Sequence, residues 1–361
     1  MTTRVSRRRA TFHPLEVAAI DAITDDSVAI TFAVPPELAA EYDFAAGQHL
    51  TVRRTGDEVR RSYSICSPAG SGVLRIAVKR LPGGEFSTYA ATGLKVGDTI
   101  DVMTPLGRFG TSLDSANAKH YAFIAAGSGI TPVLSLVATT LAVEPQSRVT
   151  LLYGNRTVGS VMFADELADL KDVYAERLHL VHVLSRESTE VELFSGRIDS
   201  ERLSRIIDAI LPVESVDEWF LCGPYALVIG AQELLLTQGV QRENVHAELF
   251  HVGDEVPVAR VEETALDEDA AEVTVILDGR RSSFPLGEHA KAVLDATLAV
   301  RTDAPFACKG GVCGTCRAKV VEGSVRMDTN WALEPDELRA GYVLTCQSHP
   351  TSSKVTLDYD A

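Results

Sequence analysis

Cys308, Cys313 and Cys316 stand in one short run, Cys308-Lys309-Gly310-Gly311-Val312-Cys313-Gly314-Thr315-Cys316, and Cys346 follows much later. Three thiols in a C-x4-C-x2-C loop with a fourth from afar is a ligand spacing used for a [2Fe–2S] cluster. Thiolate is the soft ligand that suits iron–sulfur chemistry. Such a loop must bend tightly to aim several sulfurs at one small inorganic core. Gly310, Gly311 and Gly314 are expected to accept positive φ and bring no Cβ against it. A four-cysteine zinc site is the alternative, although those commonly use two C-x2-C knuckles and this run has one. Cys66 and Cys222 are far apart and do not suggest a disulfide framework.

Two stretches in the first third carry further chemistry. In Arg61-Ser62-Tyr63-Ser64-Ile65-Cys66-Ser67 a strand would put Arg61 and Tyr63 on one face, a guanidinium for a phosphate beside a phenol for a flat ring. Gly83-Gly84-Glu85-Phe86-Ser87-Thr88 runs into a predicted helix, Ser87–Ala91, and glycines before hydroxyls at a helix start make a phosphate cradle. Either motif alone is common in unrelated surfaces and turns.

The elements that must position these groups fall into three textures. Short predicted strands at Leu15–Ile20, Val28–Ala33, His49–Arg53, Val59–Ile65, Leu74–Lys79 and Thr99–Thr104, with turns such as Ala69-Gly70-Ser71-Gly72 between them, suggest a small antiparallel barrel. From Tyr121 the pattern alternates. Strands at Tyr121–Ala125, Val149–Tyr153, Leu178–Leu184, Trp219–Cys222 and Val245–Leu249 enclose helices at Pro132–Leu141, Phe163–Lys171, Asp199–Ile210 and Tyr225–Gln238. That is a parallel sheet covered on both faces, whose ligands bind beyond the carboxyl ends of the strands. The loops at those ends are Ala125-Ala126-Gly127-Ser128-Gly129-Ile130-Thr131-Pro132, Tyr153-Gly154-Asn155-Arg156, Ser185-Arg186 and Cys222-Gly223-Pro224. An arginine at Arg156 or Arg186 would pair with a 2′-phosphate, so the charge favours NADPH, with NADH possible. After an acidic stretch, predicted strands Glu272–Leu277 and Arg281–Leu286, a helix Ala290–Ala299, the cysteine loop, and strands Ala318–Val321, Val325–Met327 and Val355–Tyr359 close the chain.

The chain is therefore expected to be multidomain, with boundaries at 1–12 (tail), 13–112 (barrel), 113–251 (α/β nucleotide-binding), 252–271 (acidic linker) and 272–361 (cluster domain). Its 34 basic and 50 acidic residues give a formal net charge of −16, which argues against nucleic acid as a partner. Arg7-Arg8-Arg9 is followed by no apolar h-region, and no apolar stretch is long enough to span a membrane, so a cytoplasmic location is expected.

Taken together and in this order, the motifs resemble the ferredoxin–NADP reductase superfamily, here with a C-terminal plant-type ferredoxin domain of β-grasp fold. The resemblance implies that Arg61, Tyr63, Ser64, Gly84, Ser87 and Thr88 contact a flavin, FAD rather than FMN by the pyrophosphate cradle. It implies that Gly127, Gly129, Thr131 and Gly223 form the nucleotide and flavin loops, with Thr131 near the flavin N5 side and Cys222 near the nicotinamide. Glu248 and Phe250 would lie by the flavin ring, Arg156, Ser185 and Arg186 would hold the nucleotide, and Thr131, Cys222 and Glu248 would shape the hydride path. Cys308, Cys313, Cys316 and Cys346 would ligate the cluster. Thr11-Phe12-His13-Pro14-Leu15, Leu152–Thr157, Ala307–Cys313 and Leu333–Leu338 further resemble the family of phenylacetyl-CoA epoxidase reductase subunits, which implies the oxygenase subunits of such an epoxidase as electron acceptor.

NAD(P)H delivers two electrons at once and a [2Fe–2S] cluster takes one, so a flavin must stand between them. The same reductase serving a ring-hydroxylating or steroid-hydroxylating oxygenase is the nearer alternative. A zinc-stabilised binding module without redox chemistry is the remote one.

Overall fold

The structure is a computed structural model that describes residues 11–57, 59–251, 270–277, 279–287, 292–302 and 304–361. Two compact units emerge, one over Thr11–Gly253 and one containing the described residues from 270 onward. The tail before residue 11 and most of the acidic linker, 252–269, lie outside the described residues.

The first unit begins with strands β1 (Phe12–Thr24), β2 (Ser27–Ala33), β3 (His49–Arg54), β4 (Arg61–Ser64) and β5 (Leu74–Lys79), helix α1 (Glu85–Thr92) and strand β6 (Thr99–Met103). The strand order is β4-β3-β6-β1-β2-β5 and every pairing is antiparallel. An Ile65–Ile76 bridge and a 2.9 Å hydrogen bond from Cys66 N to Arg75 O join the two edges, closing the expected barrel. Strand β1 is longer than predicted because it pairs with β6 in its first half and β2 in its second. Alternate residues point inward, as Leu74, Ile76 and Val78 do on β5, and α1 drops Phe86 and Ala90 into the same core.

The chain then alternates through β7 (His120–Ala126), α2 (Ile130–Val143), β8 (Arg148–Asn155), α3 (Ala164–Val173), β9 (Leu178–Leu184), α4 (Ser200–Ile210), β10 (Glu218–Pro224), α5 (Tyr225–Thr237) and β11 (Val245–His251). The order β11-β10-β7-β8-β9 is parallel throughout. The chain runs outward from β7 to β9 and then returns to β10 on the other side, so the topological switch lies between β7 and β10.

Helix α2 is buried continuously from Ile130 to Leu141, more than one sheet face accounts for. The barrel covers its other side. Ser135 Oγ donates to Ser67 O at 2.7 Å, Ala69 N donates to Thr139 Oγ1 at 3.0 Å, and Cys66, Ala77 and Phe109 join the sheet's apolar core. Arg75 on β5 also grips both carboxylate oxygens of Glu166 on α3, at 2.9 and 3.0 Å. Part of the barrel thus packs into the sheet's core, while the barrel keeps a core of its own.

The second unit consists of β12 (Ala271–Leu277), β13 (Arg280–Leu286), α6 (Val293–Val300), β14 (Arg317–Glu322), β15 (Val325–Met327), α7 (Pro335–Arg339), β16 (Tyr342–Leu344), β17 (Ser348–Pro350) and β18 (Lys354–Asp358). Its main sheet runs β13-β12-β18-β14-β16, with the first and last strands, β12 and β18, paired in parallel. Helix α6 packs Val293, Leu294 and Thr297 onto it. Its described part starts after Ala292, its N-cap; the predicted first residue, Ala290, lies outside the described residues. Among the described residues no helix is long and apolar enough to cross a membrane.

Candidate functional site

In the first unit the sequence-predicted residues meet at the switch between β7 and β10. Gly127, Ser128 and Gly129 form one tight turn after β7, and α2 starts from it. Gly127 has φ +54°, and a Cβ there would meet nothing within 4 Å, so this side of the loop is open to a ligand. At Gly129 a Cβ would lie 2.2 Å from the carbonyl oxygen of Cys222 and 2.8 Å from Gly223 N. The two loops therefore touch only because that residue is glycine. Tyr153 Oη donates to Gly127 O at 3.0 Å and fixes the turn from β8.

Cys222 is fully buried and stands in register between Ala125 on β7 and Glu248 on β11. Burial, with the Glu248 charge beside it, holds its thiol well above the ordinary value. Burial likewise pushes the Glu248 carboxyl up to about 8, against the lowering effect of its contact with Ser64, whose Oγ donates to Oε2 at 3.3 Å. Ser64 comes from the barrel, so this hydrogen bond brings the R-x-Y-S strand to the sheet's carboxyl edge. Between the ordinary carboxyl value of 4.5 and about 8 the unfolded chain releases a proton that the folded chain keeps. Folding stability therefore falls as pH rises through that window. Glu248→Gln is expected to flatten the decline, read as the melting temperature against pH.

Arg61 and Tyr63 share a face, opposite Val52 and Leu50 of β3. Tyr63 is half-buried against Phe86, ring centroids 5.6 Å apart, which sets the strand beside the Gly83-Gly84 helix start. Arg61 is exposed, its Nη1 donating to Arg60 O at 2.7 Å. Ser87 is buried; its Oγ accepts from Leu81 N at 3.2 Å and donates to Gly84 O at 3.3 Å. That hydroxyl ties the loop to itself, and a Cβ on Gly84 would sit 2.3 Å from it. Thr88 is exposed on the first turn. Thr131 is also committed locally, its buried Oγ1 donating to Ser128 O at 3.0 Å. Phe250 is half-buried against the sheet core.

The ladder between β8 and β9 continues past the strands. Ser185 N donates to Asn155 O at 2.9 Å and Arg186 N to Arg156 O at 2.8 Å, which places Arg156 and Arg186 side by side on an exposed rim. Two residues near these loops were not marked as site residues by the sequence. Asn155 is buried at the end of β8, its Nδ2 without a well-formed hydrogen bond and interacting with the Tyr153 hydroxyl. His49, opposite Ser64 in register, is buried with Nε2 unpaired, and burial pulls its pKa down to about 4, so its ring is neutral. An amide at a strand's carboxyl end was the available signal for Asn155; nothing marks His49. Open space at Gly127 fits a bound nucleotide.

In the second unit Cys316 and Cys346 are buried, Cys313 is half-buried and Cys308 is exposed. The four sulfurs meet as two pairs. A hydrogen bond from Cys313 draws the Cys308 thiol down and holds Cys313 up, and Cys316 does the same to Cys346. Among the described residues no three His, Cys, Asp or Glu side chains converge on a single metal ion. Two thiol pairs side by side fit a two-iron cluster better than the tetrahedral zinc alternative. Gly310 N and Cys313 N donate to Cys308 Sγ at 3.3 and 3.4 Å, the backbone donors such a cluster requires.

Positive φ occurs at Gly311 (76°) and Gly314 (66°) as expected, but not at Gly310; Lys309 takes it instead, at 54°. Its amine pairs with Asp295 at 2.7 Å and its carbonyl accepts from Gln347 Nε2 at 3.0 Å, and these contacts hold the left-handed turn. The buried pair is anchored from behind. Thr345 donates to Cys316 O through N at 3.2 Å and Oγ1 at 2.9 Å, and Tyr359 Oη donates to Thr345 Oγ1 at 2.9 Å.

Comparison with known proteins matches each part. Residues 14–110 match the family model of an oxidoreductase FAD-binding domain, 123–233 that of an oxidoreductase NAD-binding domain, and 275–351 that of a 2Fe-2S iron-sulfur cluster binding domain. The chain is 46% identical over 354 residues to one of the subunits of 1,2-phenylacetyl-CoA epoxidase from Escherichia coli, covering 97% of this chain and 98% of that protein. It is 36% identical over 359 residues to the ferredoxin reductase component of 3-ketosteroid-9-alpha-monooxygenase from Rhodococcus rhodochrous, 96% of each. The solved phthalate dioxygenase reductase, at 24% identity, has the same fold with a TM-score of 0.59 over 96% of this chain and 98% of that one. A chain that pairs the flavin barrel with the nucleotide sheet in one unit and carries four facing thiols in another belongs to the ferredoxin reductase superfamily, as an oxidoreductase that uses a pyridine nucleotide, FAD and a [2Fe–2S] cluster.

Proposed function

We propose that this reductase feeds electrons to the oxygenase subunits of a phenylacetyl-CoA epoxidase in the cytoplasm. The similarity along nearly the whole chain to the epoxidase protein of Escherichia coli carries this reading. Bound FAD accepts electrons in a pair and releases them singly, which the cluster requires. Within the chain, we assign 13–112 to the flavin, 113–251 to the nucleotide and 272–361 to the cluster, with 252–271 as the acidic linker of the sequence, although Ala271 already belongs to β12.

Tyr63 and Ser64 hold the flavin ring, and Arg61 with the helix start at Gly84, Ser87 and Thr88 holds its phosphates. Ser87 contributes through its backbone, since its hydroxyl is already bonded within the loop. Gly127, Gly129, Thr131 and Gly223 would form the loops that hold the nucleotide and the flavin. Buried Cys222 would lie by the nicotinamide and keep water from it, and Glu248, its carboxyl held neutral by burial, would sit with Phe250 by the flavin ring. Cys308, Cys313, Cys316 and Cys346 would ligate the cluster, which would carry single electrons there; Cys308 is the exposed one of the four.

The adjacent Arg156 and Arg186, with Ser185, support NADPH over NADH, because guanidinium forks match a 2′-phosphate. Arg156→Ala is expected to raise KM for NADPH by about tenfold to a hundredfold, the worth of one charge-assisted hydrogen bond, and to leave KM for NADH alone. Equal effects on both nucleotides would count against a 2′-phosphate at this rim.

The test of the partner is NADPH oxidation by this protein mixed with phenylacetyl-CoA oxygenase subunits, with and without phenylacetyl-CoA. Strong stimulation together with an oxygenated thioester supports the reading. The similarity to the steroid monooxygenase reductase favours a second reading. Stimulation by the oxygenase of a 3-ketosteroid monooxygenase instead would transfer the assignment.

A further inference from the structure

Helix α1 lies across one end of the barrel. Phe86 and Ala90 enter the barrel core, Phe86 meets Tyr63 of β4, and Tyr89 meets Arg54 at the end of β3. Arg61 stands opposite Val52 on β3, and Arg54, two residues past Val52, stands opposite Ile100 on β6. Residues directly opposite across a ladder share a face, so Arg54 and Arg61 both point to the side of buried Val52 and Ile100. Arg53 points the other way and pairs with Asp101 at 2.9 Å. Arg54 and Arg61 are exposed and form no ion pair among the described residues. The Cζ of Arg54 instead lies over the Tyr89 ring, 4.5 Å from its centroid, which makes a flat guanidinium plate on an aromatic backing. From the sheet edge outward the order is therefore Glu248, Ser64, Tyr63, Arg61 and then Arg54 on Tyr89.

We propose that Arg54, backed by Tyr89, is the seat of the adenine of FAD and makes this site select FAD over FMN. Three residues of strand, roughly 10 Å, separate Ser64 from Arg61 and leave room for the ribityl chain between ring and first phosphate. FMN ends at that phosphate. FAD continues through a second phosphate to adenosine, and the same direction leads to Arg54. Adenine is a flat π system that stacks on a guanidinium or aromatic plane. The plate thus grips only the half of FAD that FMN lacks, whereas Arg61 serves the phosphate common to both. This rests on placing the flavin at Arg61, Tyr63 and Ser64.

The experiment titrates the full-length chain, stripped of flavin, with FAD and with FMN and follows the flavin fluorescence. Arg54→Ala is expected to weaken FAD by about fivefold to thirtyfold, the worth of one stacked base or desolvated cation–π contact, and to leave FMN within about twofold. Arg54→Lys keeps the charge but not the plane, and is expected to behave like Arg54→Ala. Arg61→Ala is expected to weaken both flavins alike; if it weakens neither, the flavin placement fails and this proposal with it. Should Arg54→Ala not fold, Tyr89→Leu, which removes the backing of the plate, decides by the same ratio of the two dissociation constants. A ratio unchanged in a folded variant overturns the proposal, and so does an equal weakening of both flavins, which a purely structural hold on α1 would give. Full FAD binding by Arg54→Lys overturns it too, because charge on the second phosphate would then suffice.

Discussion

Cys313→Ser is expected to keep reduction of the flavin by NADPH and to abolish one-electron transfer to a protein acceptor. The two activities separate because the groups responsible lie in different units, the flavin and nucleotide loops within Thr11–Gly253 and the thiols beyond residue 270. Nothing in the first unit's core depends on Cys313. In the second unit the loss is local and severe. Cys313 is the partner that hydrogen-bonds Cys308, so its removal leaves an exposed thiol alone at one end and a buried pair at the other. Serine is a poor ligand for iron beside three soft sulfurs. Stopped-flow bleaching of the flavin should match the parent, while cytochrome reduction should drop to background and iron content should fall with it. Undiminished cytochrome reduction in a variant shown to hold no iron would mean that electrons reach the acceptor by another route.

Gly129→Ala is expected to cost on the order of 10²-fold in hydride transfer with the fold preserved. The added Cβ would stand 2.2 Å from Cys222 O, a backbone atom, and an alanine Cβ has no rotamer to relieve it. The loops after β7 and β10 must part by about 1 Å to restore ordinary contact, a displacement of the size that costs about 10²-fold when it misplaces reacting groups. Cys222, Gly223 and Glu248 move with that edge because they are in register across β10 and β11. The rate of flavin bleaching by NADPH at saturation is the readout, with flavin content and melting temperature as controls. A fall of less than threefold in a folded, flavin-loaded variant would show that the gap between these loops does not set the geometry of transfer.

What could be read from the sequence was what repeats a local rule. The cysteine spacing, the turn glycines at Gly127 and Gly129, and the strand periodicity of β5, β9 and β15 each rest on neighbours within a few residues. Helix α7 was missed although Pro335 stands at its first turn and Glu334 and Glu337 form a reciprocal capping box, because five residues give no apolar period. Strands β16 and β17 are three residues each, too short to alternate visibly, and β17 ends in a proline. Other features depend on residues distant in the chain. The Ile65–Ile76 closure, the Ser64–Glu248 hydrogen bond and the buried Arg317–Glu337 ion pair join positions that no window contains together. The polar site residues show the same divide. Ser87 and Thr131 were legible as hydroxyls near a phosphate loop, but not that each spends its hydroxyl on its own turn.

Helix α2, hidden on all sides between barrel and sheet, has a consequence for how such a chain can be cut and recombined. A break near residue 112 would leave Phe109 and Cys66 on one fragment and the apolar face of α2 on the other, each wetting surface meant for its counterpart. Amide exchange in β5, β7 and α2 should then slow and quicken together, as one cooperative foldon rather than two. Grafting a foreign barrel onto this sheet would require rebuilding Ser67, Ala69 and Arg75 to meet Ser135, Thr139 and Glu166. The unit that is portable as a whole is Thr11–Gly253, and shuffling that respects it leaves the electron-pair chemistry intact.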